Sequence, residues 1–274
     1  MIKTLANGVQ MPQLGLGVYK MTNRDETLQA IDTAIQAGYR AIDTAALYYN
    51  EEEVGEAVRA SSVPRNELFI TTKVWNDDQG YDETLRAFET SLKKLDMDYV
   101  DLYLTHWPVE GKFEHTYKAI ERLYDEKLIR ATGVSNHHIP HLQRILASAN
   151  VPPMVNQIEL HPYLTQLELR AFCKEQGIAV TSWSPLGRAN VLQDAFLQEL
   201  GEQYGKSAAQ IIIRWHLQND LIVIPKSVTP SRIQENFNVF DFELTPQQMD
   251  AIEQLNRDER FGQNPDSFNF DHLK

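Results

Sequence analysis

Four side chains that can hold or transfer a proton follow short apolar segments of this sequence: Asp43, Tyr48, Lys73 and His106. A free tyrosine has a pKa of about 10 and is a poor proton donor at neutral pH. A nearby lysine favours the phenolate and lowers that pKa, an aspartate keeps the lysine charged, and a histidine can bind a substrate carbonyl. Together these residues predict a site at which Tyr48 protonates a developing alkoxide.

Each of these residues also has a purely structural explanation. Asp43 could cap the following loop, Tyr48 could pack in the core, and a single histidine such as His106 is more often structural than functional. Their shared position after successive predicted strands favours one common polar site, because burying several unpartnered polar groups separately would be costly.

A basic pair in the last part of the chain indicates an anion site. Lys226 follows the apolar segment 221–224, and Arg232 stands at the predicted start of a helix. Cations are unfavourable at a helix N-terminus unless an anion binds there. Because the net charge of the whole chain is −12, such a site must be basic locally. A solvated surface pair is the alternative explanation.

Alternating strand-like and helix-like segments position these residues. Continuous apolar runs, typical of strands buried on both faces, alternate with segments of helical periodicity. We predict strands at residues 13–18, 41–44, 68–74, 99–105, 129–135, 154–157, 178–183 and 221–224. Helices are predicted at 23–37, 51–60, 82–95, 117–127, 140–148, from a capping box at Thr165 and Glu168 onward, at 208–218 and 232–239, and after Thr245.

Seven strand–helix units and a candidate first strand, in a chain of 274 residues, predict a (β/α)8 TIM barrel with extra helices. A doubly wound sheet is the competing fold. Gly15 and Gly17 are followed neither by a third glycine nor by a helix, so the dinucleotide-binding motif of that fold is absent. The turn signal at residues 6–9 predicts an N-terminal β-hairpin that could cover the lower end of the barrel. No linker or repeat interrupts the pattern, so residues 1–274 are predicted to form one domain.

Composition narrows the class of protein. The chain is 42% hydrophobic and 23% charged, as ordinary globular proteins are. Its acidic balance argues against a nucleic-acid partner, and its single cysteine, Cys173, can form no internal disulfide, which fits a reducing compartment. No signal peptide or membrane-spanning apolar run is recognisable. We therefore predict a cytoplasmic monomer without nucleic-acid or membrane partners.

The segments around these residues resemble the motifs of aldo-keto reductases: IDTAALYYNE at 42–51, TKVW at 72–75, LTHWP at 104–108, GVSN at 133–136, VNQ at 155–157, WSPL at 183–186 and IPKS at 224–227. The similarity extends from Gly15 to Asn256, and it looks closest to the bacterial branch of 2,5-diketo-D-gluconate and methylglyoxal reductases. The resemblance implies a TIM barrel, NADPH as cofactor, and a catalytic tetrad of Asp43, Tyr48, Lys73 and His106 with Tyr48 as the general acid.

The resemblance also implies a cofactor site that is built from strand ends and the loops after them. The 2′-phosphate of NADPH would be held by Lys226, Ser227 and Arg232, and the adenine would lie near Glu235 and Asn236. The nicotinamide amide would meet Ser135, Asn136 and Gln157, its ring would stack on Trp183, and the pyrophosphate would lie along Ser184, Leu186 and Gly187.

Aromatic residues near the tetrad are candidates for the wall of a substrate pocket: Tyr19, Tyr49, Trp75 and Trp107, together with His106. The tail after Asn256 is short and ends Phe268-Asn-Phe270-Asp-His-Leu-Lys, which predicts an open site. The predicted function is NADPH-dependent reduction of small aldehydes, α-dicarbonyls and keto-sugar acids to alcohols.

Two other functions stay open at this point. A non-catalytic barrel could bind NADPH as a sensor, keeping the cofactor residues without turnover. A metal-dependent barrel hydrolase could use Asp43, His106, Glu159 and His161, although it would explain neither Lys73 nor the basic pair, and a packed His161 is the simpler explanation. We predict that the site contains no metal.

Overall fold

Eight parallel strands form the centre of the computed structural model, which describes residues 1–267. The strands are β1 (Ile2–Thr4), β2 (Gln10–Pro12), β3 (Leu16–Gly17), β4 (Ala41–Asp43), β5 (Phe69–Val74), β6 (Val100–Thr105), β7 (Ile129–Ser135), β8 (Val155–Glu159), β9 (Ala179–Trp183) and β10 (Ile222–Val223). The helices are α1 (Arg24–Ala37), α2 (Glu51–Ala60), α3 (Tyr81–Leu95), α4 (Phe113–Asp125), α5 (Ile139–Leu146), α6 (Leu167–Glu175), α7 (Ala195–Tyr204), α8 (Ala208–Gln218), α9 (Pro230–Phe237) and α10 (Pro246–Glu253).

The strands from β3 to β10 pair in chain order, and every one of these pairs is parallel. Hydrogen bonds join the residues that lead into β3 to β10, the last strand: the amide of Gly15 donates to the Val223 carbonyl over 3.0 Å, and the amide of Val223 donates to the Gln13 carbonyl over 2.8 Å. The sheet is therefore a closed barrel. This closure confirms the predicted (β/α)8 fold and rules out the doubly wound sheet, which is open at its edges.

The barrel wall is buried on both sides, as the continuous apolar runs predict. All six residues of β5 and all six of β6 are buried. Side chains such as Leu102, Leu104, Ala131 and Val155 form one apolar cluster inside the barrel, while the outer face packs against helices. Threonines such as Thr72 and Thr132 are buried within the strands, whereas Asp43 and Lys73 lie at or next to the carboxyl ends of β4 and β5.

The hairpin formed by β1 and β2 covers the amino-terminal end of the barrel. Its turn contains Gly8 at φ 85°, a conformation that favours glycine. Leu5 and Met11 are buried and belong to the same apolar cluster as Ala41 and Phe69, the first residues of β4 and β5. The predicted N-terminal hairpin and its position at the lower end are confirmed, and the opposite end stays free for a site.

Local capping explains where several helices begin. Asn23 accepts a hydrogen bond from the amide of Glu26 at the start of α1, and Gly38 ends that helix at φ 113°. Thr245 and Gln248 form the capping box of α10, with proline at the start of the helix. These ends agree with the sequence prediction.

Other element ends differ from the prediction. The sequence patterns do not predict α7, although the Asp194 side chain caps it, and α4 begins at Phe113 rather than at residue 117. The capping box predicted at Thr165 is wrong, because α6 begins only after Gln166 in a left-handed conformation, and the amide of Thr165 donates to the Asn256 side chain instead. None of the helices formed by residues 1–267 is long and apolar enough to cross a membrane.

Candidate active site

Lys73 and Asp43 form a buried ion pair at the carboxyl end of the barrel. Asp43 is the last residue of β4, and Lys73 is the second-last residue of β5. The Lys73 ammonium donates to Asp43 Oδ1 over 2.5 Å and to the Thr44 carbonyl over 2.8 Å. Burial lowers the pKa of Lys73, while the Asp43 carboxylate acts in the opposite direction. These bonds offset the cost of desolvating an ammonium that is fully buried.

Tyr48 lies at the other side of the same ammonium, with its hydroxyl oxygen 3.4 Å from Lys73 Nζ. A short 3₁₀ helix over Ala46–Tyr48 places it there. Burial, followed by the negative charge of Asp43, raises the pKa of Tyr48 well above its ordinary value. The pKa of Tyr48 is therefore raised overall rather than lowered, because the phenol is desolvated and Asp43 adds a negative charge beside it, and the predicted effect of Lys73 does not outweigh these two causes. Tyr48 consequently keeps its proton, as a proton donor must.

His106 completes this group directly after β6. Its ring centroid lies 5.8 Å from that of Tyr48 and 5.1 Å from the ring of Trp75. Burial and the nearby Lys73 charge hold the pKa of His106 well below its usual range, so the imidazole is neutral at neutral pH. A neutral imidazole can donate one hydrogen bond to a carbonyl, but it is not an acid that competes with Tyr48.

The residues expected at the nicotinamide are joined to the tetrad by hydrogen bonds. Gln157 Nε2 donates to Asp43 Oδ2 over 2.6 Å, and Asn136 Nδ2 donates to the His106 carbonyl over 2.9 Å. Ser135 Oγ donates to the Gln157 carbonyl over 2.9 Å. The structure therefore brings these three expected cofactor residues and the tetrad into one connected polar network.

Trp183, the last residue of β9, is fixed beside this network. Its indole N–H donates to Asn136 Oδ1 over 2.8 Å. Asn136 itself has a positive φ of 62°, an uncommon conformation that asparagine tolerates better than most residues. The half-buried ring thus has a defined orientation next to the amide groups.

The loop after β9 carries the residues expected along the pyrophosphate. Ser184 and Gly187 both have positive φ, at 48° and 53°, and the amide of Gly187 donates to the Ser184 carbonyl over 2.8 Å. A Cβ at Gly187 would overlap the side chain of Val191 and lie 2.8 Å from the ring of Phe261. Leu186 is half-buried in the same loop. This tight turn stands next to the loop that carries the basic pair.

Arg232 lies in the first turn of α9, which begins at Pro230, two residues earlier than predicted, and Lys226 lies in the loop that leads from β10 to this helix. Both side chains are exposed, and neither forms an ion pair or a hydrogen bond with any residue in 1–267. Thr229 precedes α9 without a side-chain cap, so amide groups at this helix start stay available. An unpartnered basic pair beside a helix N-terminus in an acidic protein fits a phosphate group.

The remaining residues expected around the cofactor lie in α9, which contains Glu235 and Asn236, or just before it, at Ser227. Ser227 is buried and accepts a hydrogen bond from the amide of Thr229 over 3.1 Å. Asn236 is buried, whereas the exposed Glu235 accepts from Ser207 Oγ over 2.5 Å. Glu235 therefore already has a partner in Ser207, the residue that caps α8, and an adenine contact would have to share it.

The expected wall of the substrate pocket is present only in part. Tyr19 is 46% exposed, and its ring centroid lies 4.9 Å from that of Tyr48. Trp75 packs against His106 as described, and Trp107 is buried, with its carbonyl accepting from Gln79. Tyr49, at 80% exposure, forms no ring pair within the described chain. The tail at 268–274 lies outside the described residues.

Glu159 and His161 do not join the tetrad. The Glu159 carboxylate accepts hydrogen bonds from the amides of Phe261 and Gly262, and His161 contacts Glu159 over 3.3 Å. Because Asp43 is occupied by Lys73 and Glu159 by the chain's own backbone, the hydrolase alternative is not favoured.

Two features of the site have no counterpart among the residues predicted from the sequence. The first is Asn50, which is buried and accepts a hydrogen bond from Thr44 Oγ1 over 2.7 Å. Its side-chain amide also donates to the carbonyls of Val18 and Met21. These bonds connect the loop that carries Tyr19 to the loop that carries Tyr48. The second feature is the segment 257–262. Asn50 directly precedes the acidic start of α2 within the segment 42–51, and this position is a signal that could have been read.

The chain is similar to known proteins over nearly its whole length. The model of the Aldo/keto reductase family matches residues 13–257. The chain is 53% identical to glyoxal reductase of Bacillus subtilis (strain 168), covering 97% of this chain and 96% of that one. It is 51% identical to methylglyoxal reductase DkgA of Yersinia pestis, with 97% of both chains covered. The crystal structure of a Gox0644 mutant in complex with NADPH superimposes with a TM-score of 0.94 at 45% identity, over 98% of this chain and 99% of that one.

Proposed function

This chain belongs to the aldo/keto reductase family, and we propose that it reduces small aldehydes, α-dicarbonyls and keto-sugar acids to alcohols with NADPH, using Tyr48 as the proton donor. One observation carries the assignment of the acid. The Tyr48 hydroxyl lies 3.4 Å from Nζ of Lys73, which is paired with Asp43 in the interior, and the ring of His106 lies 5.8 Å from that of Tyr48. Burial raises the pKa of Tyr48 and lowers the pKa of His106, which makes Tyr48 the proton donor and His106 a neutral hydrogen-bonding group.

The residues of this chain divide the reaction between them. NADPH, when bound, supplies the hydride that reaches the carbonyl carbon. Tyr48 gives its proton to the carbonyl oxygen, so the carbonyl becomes an alcohol, and the phenolate that forms regains a proton from solvent. Lys73 stabilises that phenolate as it forms, Asp43 holds Lys73 in place, and the neutral imidazole of His106 orients the carbonyl by a hydrogen bond.

The fit of NADPH is supported by the free cations at α9. Lys226 and Arg232 have no acidic partner among residues 1–267, so the 2′-phosphate would meet two unneutralised charges and the amide groups at a helix start. Ser135, Asn136 and Gln157 carry amide and hydroxyl groups in the hydrogen-bond network that includes Asp43 and the His106 carbonyl, where the nicotinamide amide has to bind if its hydride is to reach the substrate.

The substrate class is supported by the relatives and by the shape of the site. Two relatives are named for glyoxal and methylglyoxal, which are small α-dicarbonyls. Tyr49, which follows Tyr48 in the chain, is 80% exposed, and Tyr19, whose ring packs against that of Tyr48, is 46% exposed, which is compatible with an open entrance. Keto-sugar acids are included because of the resemblance to the diketogluconate reductases. A single domain over residues 1–274, a monomeric state and a cytoplasmic location stay predictions.

The proposal is tested by following NADPH oxidation with methylglyoxal, a keto-sugar acid and an aromatic aldehyde, each with and without a chelator. We expect turnover of the small carbonyl compounds, and the same rate after chelation. NADPH binding without turnover of any carbonyl would indicate a sensor, loss of activity on chelation would indicate a metal enzyme, and turnover of a bulky steroid ketone alone would contradict the open site.

A further inference from the structure

The segment 257–262 runs along the carboxyl ends of β7, β8 and β9, next to the proposed cofactor site. It is attached first at Tyr163, whose carbonyl accepts from the amides of Arg257 and Glu259 over 3.1 and 3.0 Å. The Arg257 guanidinium stacks on the ring of Tyr163, 3.5 Å from its centroid. The path of the segment is therefore fixed before it reaches the site.

Glu159, the last residue of β8, holds the next part of this segment. Its Oε1 accepts from the amide of Phe261 over 2.7 Å and from the amide of Gly262 over 3.0 Å, and Arg260 lies 3.9 Å from its Oε2. The carboxylate is fully buried. A buried carboxylate is stable only when such partners are in place, so the anchor and the segment depend on each other.

Gly262 is in direct contact with Trp183. A Cβ at this position would overlap Cη2 of the indole and lie 2.9 Å from Glu159 Oε2. The backbone of Gly262 is not in the left-handed region, so glycine is required there for space and not for conformation. The opposite edge of the same indole is held by the hydrogen bond from its N–H to Asn136.

We propose that Glu159 and Gly262 are positioning residues of the reductase, which press the C-terminal segment against Trp183 and so fix the surface on which the nicotinamide ring stacks. This inference rests on the proposed function, because that function assigns the nicotinamide to Trp183. The buried Glu159 would then contribute to the reaction by positioning Trp183, and not by binding a metal or by filling space in the core.

The substitution that tests the contact is Gly262→Ala. The added methyl group displaces the indole, and aromatic stacking is worth about 0.5–1.5 kcal/mol, so we expect NADPH to bind roughly two- to tenfold more weakly. Adenosine 2′,5′-bisphosphate, which has the adenine and the 2′-phosphate but no nicotinamide, should bind as it does to the wild type. Both affinities are measured by calorimetry on the same preparation.

A double variant separates positioning from a general loss of structure. Trp183→Phe removes the part of the ring that Gly262 touches, so Gly262→Ala should have no further effect on NADPH affinity in that background. Glu159→Gln removes the charge facing Arg260 and places an amide N–H₂ near the amide of Gly262. It should therefore weaken NADPH and spare the bisphosphate in the same way.

Three results would overturn the inference: unchanged NADPH affinity in Gly262→Ala, equal weakening of NADPH and the bisphosphate, or additive effects of Gly262→Ala and Trp183→Phe. Near-ultraviolet circular dichroism without cofactor provides an independent reading. The signal that is lost in Trp183→Phe should be altered in Gly262→Ala, and an unaltered signal would also refute positioning. A wild-type chain that binds NADPH yet reduces no carbonyl would contradict the proposed function while these comparisons still decide the inference.

Discussion

Gln157 Nε2 donates to Asp43 Oδ2 over 2.6 Å, from a strand that lies four positions away from β4 in the barrel. The other oxygen of the same carboxylate binds Lys73. One buried carboxylate thus connects an amide expected to face the nicotinamide with the lysine that faces Tyr48. This arrangement links cofactor contact at Gln157 to the electrostatic environment of the proton donor.

Removal of the Tyr48 hydroxyl should lower the rate of carbonyl reduction without lowering the affinity for NADPH. Tyr48→Phe keeps the ring and its packing, so NADPH affinity should stay near that of the wild type, while carbonyl reduction should fall by about 10²–10⁴ as for a lost general acid. NADPH binding is followed by fluorescence and turnover by absorbance on the same preparation. Tyr81→Phe, at the exposed start of α3, is the matched control, and near wild-type turnover in Tyr48→Phe would refute the mechanism.

Substitutions in the Lys73–Asp43 pair should change the free energy of unfolding and the rate of carbonyl reduction in different ways. Lys73→Met leaves a buried carboxylate without its cation and should reduce the free energy of unfolding by about 3–5 kcal/mol, besides abolishing most of the turnover. Combining Lys73→Met with Asp43→Asn removes both charges and should restore much of the stability but none of the activity. Denaturant unfolding and turnover are measured together, with Lys93→Met on the exposed side of α3 as the control. Recovered turnover in the double variant would contradict the role of Lys73.

Arg232 should decide the preference for NADPH over NADH. A charge-assisted hydrogen bond to the 2′-phosphate contributes about 1.5–3 kcal/mol, so Arg232→Ala should weaken NADPH about ten- to a hundredfold and leave NADH nearly unchanged. Dissociation constants for both cofactors are compared at fixed salt, since added salt screens such contacts. Lys174→Ala, in the last turn of α6, removes a charge at the other end of the barrel and serves as control. Equal wild-type affinity for the two cofactors would contradict the phosphate site.

His137 should make the protein less stable in acid. Burial lowers the pKa of His137 to about 3, and the hydrogen bond of its Nδ1 to the Ser135 carbonyl, over 2.8 Å, acts in the opposite direction without offsetting the burial. Its Nε2 is buried without a hydrogen-bond partner in the described chain. The folded pKa lies below the unfolded value of about 6.5, so the unfolded chain takes up the proton first, and stability present above that value is lost as pH falls. Between pH 7 and pH 5 this histidine alone should account for about 2 kcal/mol of that loss.

The measurement for His137 is the free energy of unfolding as a function of pH in wild type and His137→Asn. The variant should show a smaller slope between pH 7 and pH 5, whatever its stability at neutral pH. His115→Asn changes an exposed histidine and is the control. An identical slope in wild type and His137→Asn would show that the buried imidazole does not contribute.

The sequence by itself determined the barrel and the location of its site. Apolar runs that end in Asp43, Lys73 and His106 are readable because strands buried on both faces show no alternation, and because parallel strands place their carboxyl ends on one side. The hairpin and most helix starts follow from short-range turn and capping chemistry. The start of α6 escaped prediction because it depends on a contact with a residue far along the chain, that of Thr165 with Asn256. Helix α7 also escaped prediction, although its cap at Asp194 is local.

Only the tertiary structure decided the state and the partners of the buried charges. The pKa of Tyr48 rises because its hydroxyl is buried and because the negative charge of Asp43 lies close to it, and both depend on the tertiary structure. That Glu159 anchors the backbone of Phe261 and Gly262 depends on a contact across about a hundred residues of sequence. Residue types and local spacing carry no information on such distances or on the degree of burial, and these quantities fix the energy of a charge inside a protein.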